Sequence, residues 1–148
     1  MKALTKIQKV SEKQVAFGRK LGIDLSNCTI RVAVAKIEDL VDQNYWEREL
    51  RKPTEKQIEL ATKFGYDISR ETHREGSAVI DNIMEQLNLE SIDEQNLRPG
   101  DAVINKWDSL CHEYVISTIR DDGLVFFKGG NGKRAWARNL IKVDRHDV

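Results

Sequence analysis

Apolar residues follow a helical spacing up to about residue 90 and a strand-like spacing after it. The helical part contains two stripes with the i, i+4, i+7 pattern of one buried helix face. The first stripe consists of Ala33, Ile37, Leu40 and Val41, and the second of Gly76, Ile80, Ile83, Met84 and Leu87. From Arg98 onward, short apolar runs are separated by turns rich in glycine and aspartate. The sequence therefore predicts helices followed by short strands.

The helical part is an internal repeat. Residues 11–40 align without a gap on residues 54–83 at a constant offset of 43. Identical residues at matched positions include Gly22 with Gly65 and Arg31 with Arg74. A duplicated unit usually builds a scaffold or a binding surface twice. The repeat therefore favours recognition over catalysis.

Each repeat has the end signals of two helices. A capping box, Ser11 with Gln14 or Thr54 with Gln57, predicts the start of the first helix, and the shared glycine predicts its end. The second helix is preceded by good N-cap residues at 26–29 and 69–72, and the pattern leaves open whether the serine or the threonine is the cap. Because the small residues Ala33 and Gly76 occupy matched positions, we expect the second helices to pack together with approximate two-fold symmetry.

The predicted organisation has five segments. A flexible basic N-terminus spans 1–10, and the helical repeats span 11–52 and 53–90. An acidic connector spans 91–98, and a β domain spans 99–148. The β domain contains five candidate strands, at 102–107, 113–119, 124–128, 133–136 and near 141–143.

Three features of the β domain resemble the small barrel of the Src-homology-3 (SH3) type, which includes Tudor and KOW modules. They are the turn Pro99-Gly100-Asp101, a strand–turn–strand centre, and the ending at 135–141, which is similar to a strand, a single helical turn and a closing strand. The resemblance implies that the five strands form an SH3-like barrel. Together with the helical repeats, the predicted fold is α+β, with a four-helix tandem repeat followed by a five-stranded SH3-like barrel. Such barrels bind peptides, modified side chains or nucleic acids, so the likeness implies a binding module.

Charge is balanced overall and uneven locally. Lysine and arginine number 24, as do aspartate and glutamate, so no global field draws the chain to a polyanion. Between Lys128 and Lys142 the chain is basic and contains no acid. We find no signal peptide or membrane-spanning run, and two distant cysteines without paired spacing fit a reducing compartment, so we expect a cytoplasmic protein.

The first candidate site is this basic hairpin with its glycine-rich tip at 129–132. Its cations and aromatic residues are Lys128, Lys133, Arg134, Arg138, Phe126, Phe127 and Trp136. Cations beside exposed rings suit a phosphate backbone and unstacked bases. The alternative is that the aromatics fill the core while the lysines only keep an edge hairpin soluble.

The second candidate site is the repeated charge set of the helices. Arg31 and Arg74, together with the matched lysines of the first helices, lie off the apolar stripes and near the positive N-terminal end of the second helix. They are candidate phosphate contacts. The alternative is a pair of solvated faces inherited by duplication.

The spacing of residues in the sequence supports neither catalysis nor metal binding. His73, His112, His146, Cys28 and Cys111 lack metal-ligand spacing, and the glycine cluster lacks the ending of a phosphate loop. We therefore expect no enzyme, cofactor or metal. The leading hypothesis is a nucleic-acid-binding protein, and the alternative is an adaptor or inhibitor that docks on a larger complex. No membrane partner is expected, and the oligomeric state stays open.

Overall fold

The computed structural model of the chain describes residues 3–129 and 131–144. Within these described residues four helices precede five strands, which confirms the α+β class. The helices are α1 (Glu12–Lys20), α2 (Ile30–Tyr45), α3 (Glu55–Lys63) and α4 (His73–Gln95). The strands are β1 (Ala102–Asn105), β2 (Glu113–Ile119), β3 (Leu124–Phe127), β4 (Arg134–Trp136) and β5 (Leu140–Lys142).

Some features predicted from the sequence lie outside the described residues. They are Gly130 of the hairpin tip, His146, the first two residues of segment 1–10 and the last four of segment 99–148. Within the described residues the chain divides into two units. We call them the helical unit (Met1–Ile83) and the sheet unit (Met84–Val148). No helix in the described part of the chain is long and apolar enough to cross a membrane.

The two repeats begin in the same way. In both, the N-cap hydroxyl accepts from the backbone N–H of the glutamine three residues later, and that glutamine side chain accepts from the N-cap N–H. The predicted capping boxes at Ser11 and Thr54 are thus confirmed. Gly22 and Gly65 follow α1 and α3 with φ of 83° and 84°, in the left-handed region that favours glycine.

The caps of the second helices are the threonines. The Thr29 and Thr72 hydroxyls each accept from the backbone N–H three residues later. Ser26 and Ser69 instead donate their N–H groups to the side chain of the aspartate two residues earlier, which forms the preceding turn. The geometry therefore decides between the two caps that the sequence leaves open.

Among the polar contacts that join the repeats, two threonine contacts are equivalent under the 43-residue offset. The Asn82 side-chain amide donates to the Thr29 hydroxyl at 2.6 Å, and the Thr72 hydroxyl donates to Asp39 Oδ2 at 2.5 Å. Asp39 and Asn82 occupy matched positions in their repeats. This is the arrangement expected for two copies packed with approximate two-fold symmetry.

The small residues act differently from the expectation. A Cβ on Gly76 would lie 3.0 Å from Ile68 Cδ1, so this glycine makes room for a side chain of its own repeat rather than for the other copy. Val41, predicted on the buried stripe, is 39% exposed. The buried residues of α2 are Ala33, Ala35 and Asp39, so the buried face contains a polar side chain and leaves Val41 outside it.

The five strands form an antiparallel sheet in the order β4-β3-β2-β1-β5. The observed strands overlap all five predicted ones, and β2 has the predicted bounds. A 3-10 turn at Ala137–Asn139 separates β4 from β5, as expected from the ending of the sequence. Among the described residues no pairing joins β4 to β5, so the sheet is not closed.

The C-terminal part of α4 is built into the sheet unit by polar bonds. The Ser91 hydroxyl donates to Ala137 O at 3.0 Å, and the Gln95 side chain donates to Leu140 O and accepts from Lys142 N. Asn88, Ser91 and Gln95 are spaced to share one helix face. The predicted connector over 91–98 therefore starts inside a helix, because its polar residues are needed to bond the backbone of β5 and the 3-10 turn.

Candidate nucleic-acid interface

A cleft on the sheet unit brings together aromatic rings and exposed cations. Its volume is about 360 Å³. It is lined by Asn105, Trp107, Asp108, Tyr114, Phe127, Lys133, Arg134 and Ala135. We call it the aromatic cleft.

Two stacked rings form the deeper part of the aromatic cleft. The Tyr114 and Phe127 ring centroids are 4.8 Å apart, with 18° between the ring planes. Both side chains are partly buried against the core cluster that includes Ile116 and Val125. Because the core fixes these rings from below, they form a rigid aromatic pair in the cleft wall.

The third ring, Trp107, is presented by the turn after β1. The Trp107 N–H donates to Asn105 Oδ1 at 2.9 Å, and the indole Nε1–H donates to Asn139 Oδ1 at 3.0 Å. The side chain is nevertheless 80% exposed. The indole is therefore held in place by hydrogen bonds while its faces stay open to solvent.

Asp108 is the acidic residue that lines the aromatic cleft, and its carboxylate is hydrogen-bonded within its own turn. Its carboxylate accepts from the backbone N–H groups of Leu110 and His112 at 3.0 Å and lies 2.9 Å from His112 Nδ1. These bonds, led by the backbone N–H of His112, hold the pKa of Asp108 below its usual value. The acid is thus ionised at neutral pH and shapes the turn.

Three cations of the hairpin have no carboxylate partner among the residues that the structure describes. The Lys133 Nζ lies 5.4 Å from the centroid of the Tyr114 ring, a cation–π contact. Lys128, Lys133 and Arg134 are all exposed. In the described parts of the chain, none of the three forms a salt bridge. Their charge is available to an anionic ligand.

Lys128 and Phe126 do not line the aromatic cleft, and neither do the other two predicted hairpin residues, Trp136 and Arg138. Trp136 pairs with Leu124 in the β3–β4 register, and the Arg138 guanidinium lies 5.5 Å from the Trp136 ring centroid. Arg138 also donates through its backbone N–H and Nη1 to Asn88 Oδ1. Burial lowers the pKa of Arg138. Both residues take part in holding the sheet unit together.

Arg31 and Arg74 lie in the contact between the repeats. Arg31 Nη1 donates to Asn82 Oδ1 at 3.1 Å, and Arg74 Nη1 donates to Asp39 Oδ1 at 2.9 Å, so the two contacts are again related by the repeat. Arg74 also bonds Glu38 at 3.2 Å and Asp42 at 2.9 Å. Hydrogen bonding to Asp42 raises the pKa of Arg74. The structure gives this pair a role inside the helical unit.

The aromatic cleft also contains residues that sequence reasoning missed. Trp107 was expected to end a strand, but β1 ends at Asn105 and Trp107 lies in a turn. Its polar neighbours Asn105, Lys106 and Asp108 were a signal of exposure, because a tryptophan in a polar turn has little to pack against. Tyr114 carried no such signal, since alternate residues of any half-buried strand face the core.

The arrangement suits binding of a planar, negatively charged partner. Among the described residues no group of three or more His, Cys, Asp or Glu side chains could hold a metal ion. We find no protein family, curated protein or solved structure that matches this chain.

Proposed function

We propose that this protein binds nucleic acid through the aromatic cleft and the hairpin cations beside it, without catalysing a reaction. The observation that carries the proposal is the set of exposed cations Lys128, Lys133 and Arg134, which lack carboxylate partners in the described chain. The last two line a cleft that has one exposed ring and two partly buried rings. Phosphate contacts supply sequence-independent affinity, and aromatic faces stack on bases. Trp136, Arg138, Arg31 and Arg74 act in this proposal as structural residues.

The strand order supports a likeness to SH3-type barrels. In the sheet unit β2 pairs with β1 along one edge and with β3 along the other, and a 3-10 turn precedes the last strand. We propose that the unit is a member of this broad fold group. The group includes binding modules for several ligand classes, so the fold supports binding and the cations select the ligand.

The test is fluorescence anisotropy with labelled single-stranded DNA, duplex DNA and RNA over a salt series. For the wild type we expect affinity that falls steeply with salt, because counterions are released from the phosphates. Lys133→Glu with Arg134→Glu should weaken binding by roughly a hundredfold or more at low salt. The slope against log salt should fall by about 1.4 for two lost contacts to a single strand.

The matched control is Lys9→Glu with Lys52→Glu in the helical unit. Both lysines are exposed, and the net charge changes by the same amount. We expect this pair to change affinity less than threefold. Equal losses in both double variants would show an unlocalised charge effect, and unchanged binding by the hairpin variant would refute the proposed interface.

A protein partner is the second candidate. The observation that favours it is the exposed apolar end of α2, where Tyr45 is 82% exposed and Trp46 is 64% exposed. Absence of any salt-dependent nucleic-acid binding by the wild type would favour this adaptor function.

We also propose a cytoplasmic location. Both Cys28 and Cys111 are free thiols, and Cys111 is exposed. Exposed free thiols persist in reducing compartments. Recovery of the native protein with either thiol oxidised would count against this location.

A further inference from the structure

We propose that the aromatic cleft takes an unpaired base between Trp107 and the Tyr114–Phe127 pair, so that the nucleic acid bound is single-stranded. This inference rests on the proposed function and specifies its ligand. It makes Trp107, which lies on the turn before β2 rather than on the basic hairpin, the main stacking residue.

Trp107 is prepared for stacking. The Trp107 side chain is 80% exposed, so its apolar ring stays in contact with water and contributes little to the core. Two hydrogen bonds, to Asn105 and Asn139, still fix its turn and its ring. Because the ring loses little freedom when a ligand arrives, a stacking partner gains more of its interaction energy.

The opposite side of the aromatic cleft supplies a second aromatic surface and a cation together. Tyr114 and Phe127 are held against the core, and the Lys133 ammonium lies over the Tyr114 ring. A base that enters beside these rings brings its own phosphate to the side where Lys133 and Arg134 line the cleft. Stacking and phosphate contact are thus available to the same nucleotide.

The charges oppose a cationic ligand. A methylated lysine or a choline-like group in an aromatic cleft requires an electronegative surrounding. Here Lys133 and Arg134 line the cleft, and the carboxylate of Asp108 accepts from its own turn. An anionic ligand with a planar group fits both the positive charge and the aromatic rings of the cleft.

A duplex does not offer a free base to the aromatic cleft. Its bases are stacked on each other, and only their edges are accessible in the grooves. A cleft of about 360 Å³ is at the small end of ligand pockets and suits one planar group. Entry of a paired base would require flipping, which costs a few kcal/mol and gives the single strand the advantage.

The experiment compares three labelled ligands of the same length: a single strand, the same strand with abasic sites in place of every base, and the duplex. The full chain is titrated with each by anisotropy at several salt concentrations. We expect the single strand to bind at least tenfold more tightly than the other two. Trp107→Ala should lower single-strand affinity by roughly tenfold to a hundredfold, leave the salt slope unchanged and not alter binding of the abasic strand.

Two variants are the controls. Trp46→Ala removes another exposed tryptophan, in the helical unit, and should leave affinity unchanged. Trp107→Phe keeps an aromatic face and should recover most of the loss. Since Trp107 is largely exposed, its variants should fold, and circular dichroism checks this.

The outcomes separate the two proposals. If no nucleic acid binds, or if a hexaglutamate peptide displaces the strand at equal charge concentration, the proposed function fails. If the wild type binds with a steep salt slope but Trp107→Ala matches it, the function stands and the base-stacking inference is refuted. Equal affinity for the abasic strand or for the duplex refutes it as well.

Discussion

Arg74 of the helical unit and Arg134 of the sheet unit carry the same charge in opposite surroundings. The Arg74 guanidinium contacts the carboxylates of Glu38, Asp39 and Asp42 at 2.9 to 3.2 Å. Arg134 is exposed and has no salt bridge within the described chain. The fold surrounds the charge of Arg74 with carboxylates, whereas the charge of Arg134 lies at the surface, where the proposed function uses it.

The difference shows how a duplicated scaffold uses its charges. In one repeat contact the acceptor is the buried carboxyl group of Asp39, and in the equivalent contact it is the side-chain amide of Asn82. Asp39 and Asn82 each form hydrogen bonds with a threonine and an arginine of the other repeat. The helical unit therefore uses these arginines to hold its two repeats together, and the proposed ligand-binding cations lie outside the repeat.

The largest expected effect comes from breaking the repeat contact. Asp39→Ala should destabilise the protein by about 3 kcal/mol, because it leaves Arg74 and the Thr72 hydroxyl without their shared buried acceptor. Urea titration followed by circular dichroism at 222 nm measures the loss. Nucleic-acid affinity at a temperature where the variant is folded should stay within threefold of wild type.

Asp39→Asn is the matched control for that substitution. It copies the residue found at the equivalent position of the other repeat, so the amide can accept from Arg74 and donate to Thr72. We expect it to cost about 1 kcal/mol. A cost as large as that of Asp39→Ala would contradict the equivalence of the two contacts.

Local signals predicted most of the fold. The capping boxes, the shared glycines and the strand alternation each depend on neighbouring residues, and the structure follows them closely. The extension of α4 was missed because its cause is distant. Asn88, Ser91 and Gln95 bond backbone groups about 45 to 50 residues away, and polarity alone made that segment resemble a connector.

The candidate site was predictable only in part, for a related reason. A run of basic residues shows where charge is dense, but it does not show which cations are paired. Arg138 and Arg134 are four residues apart in sequence, yet one is bonded to Asn88 and the other is exposed. Trp107 joined the site only through tertiary structure.

The charges of the helical unit, unlike those of the hairpin, should also affect stability through pH. Burial, together with a hydrogen bond to Glu71, raises the pKa of Glu75 from 4.5 to about 7, although Lys36 at 3.5 Å acts in the opposite sense and Asp39 adds to the rise. The folded state therefore binds more protons than the unfolded state between these values. Stability should fall as pH rises from about 4.5 to 7.

Glu75→Gln should remove this decline. At pH 8 we expect the variant to be more stable than wild type by about 1 to 2 kcal/mol, and the difference should shrink toward pH 4.5. Urea titrations at pH 4.5, 6, 7 and 8 measure it. A wild-type stability that rises over this range would contradict the raised pKa.

The smallest effect separates a structural cation from a free one within a single hairpin. Arg138→Ala removes the bond to Asn88 and the contact with the Trp136 ring, so we expect a loss of about 1 kcal/mol in stability. Arg134→Ala should cost less than about 0.5 kcal/mol, as for an exposed residue without partners. In binding the order should reverse, with a roughly three- to tenfold loss for Arg134→Ala and little for Arg138→Ala at matched folded fraction. Parallel losses in both assays would mean that the two arginines share one role, and the division between structural and ligand-binding cations would then be wrong.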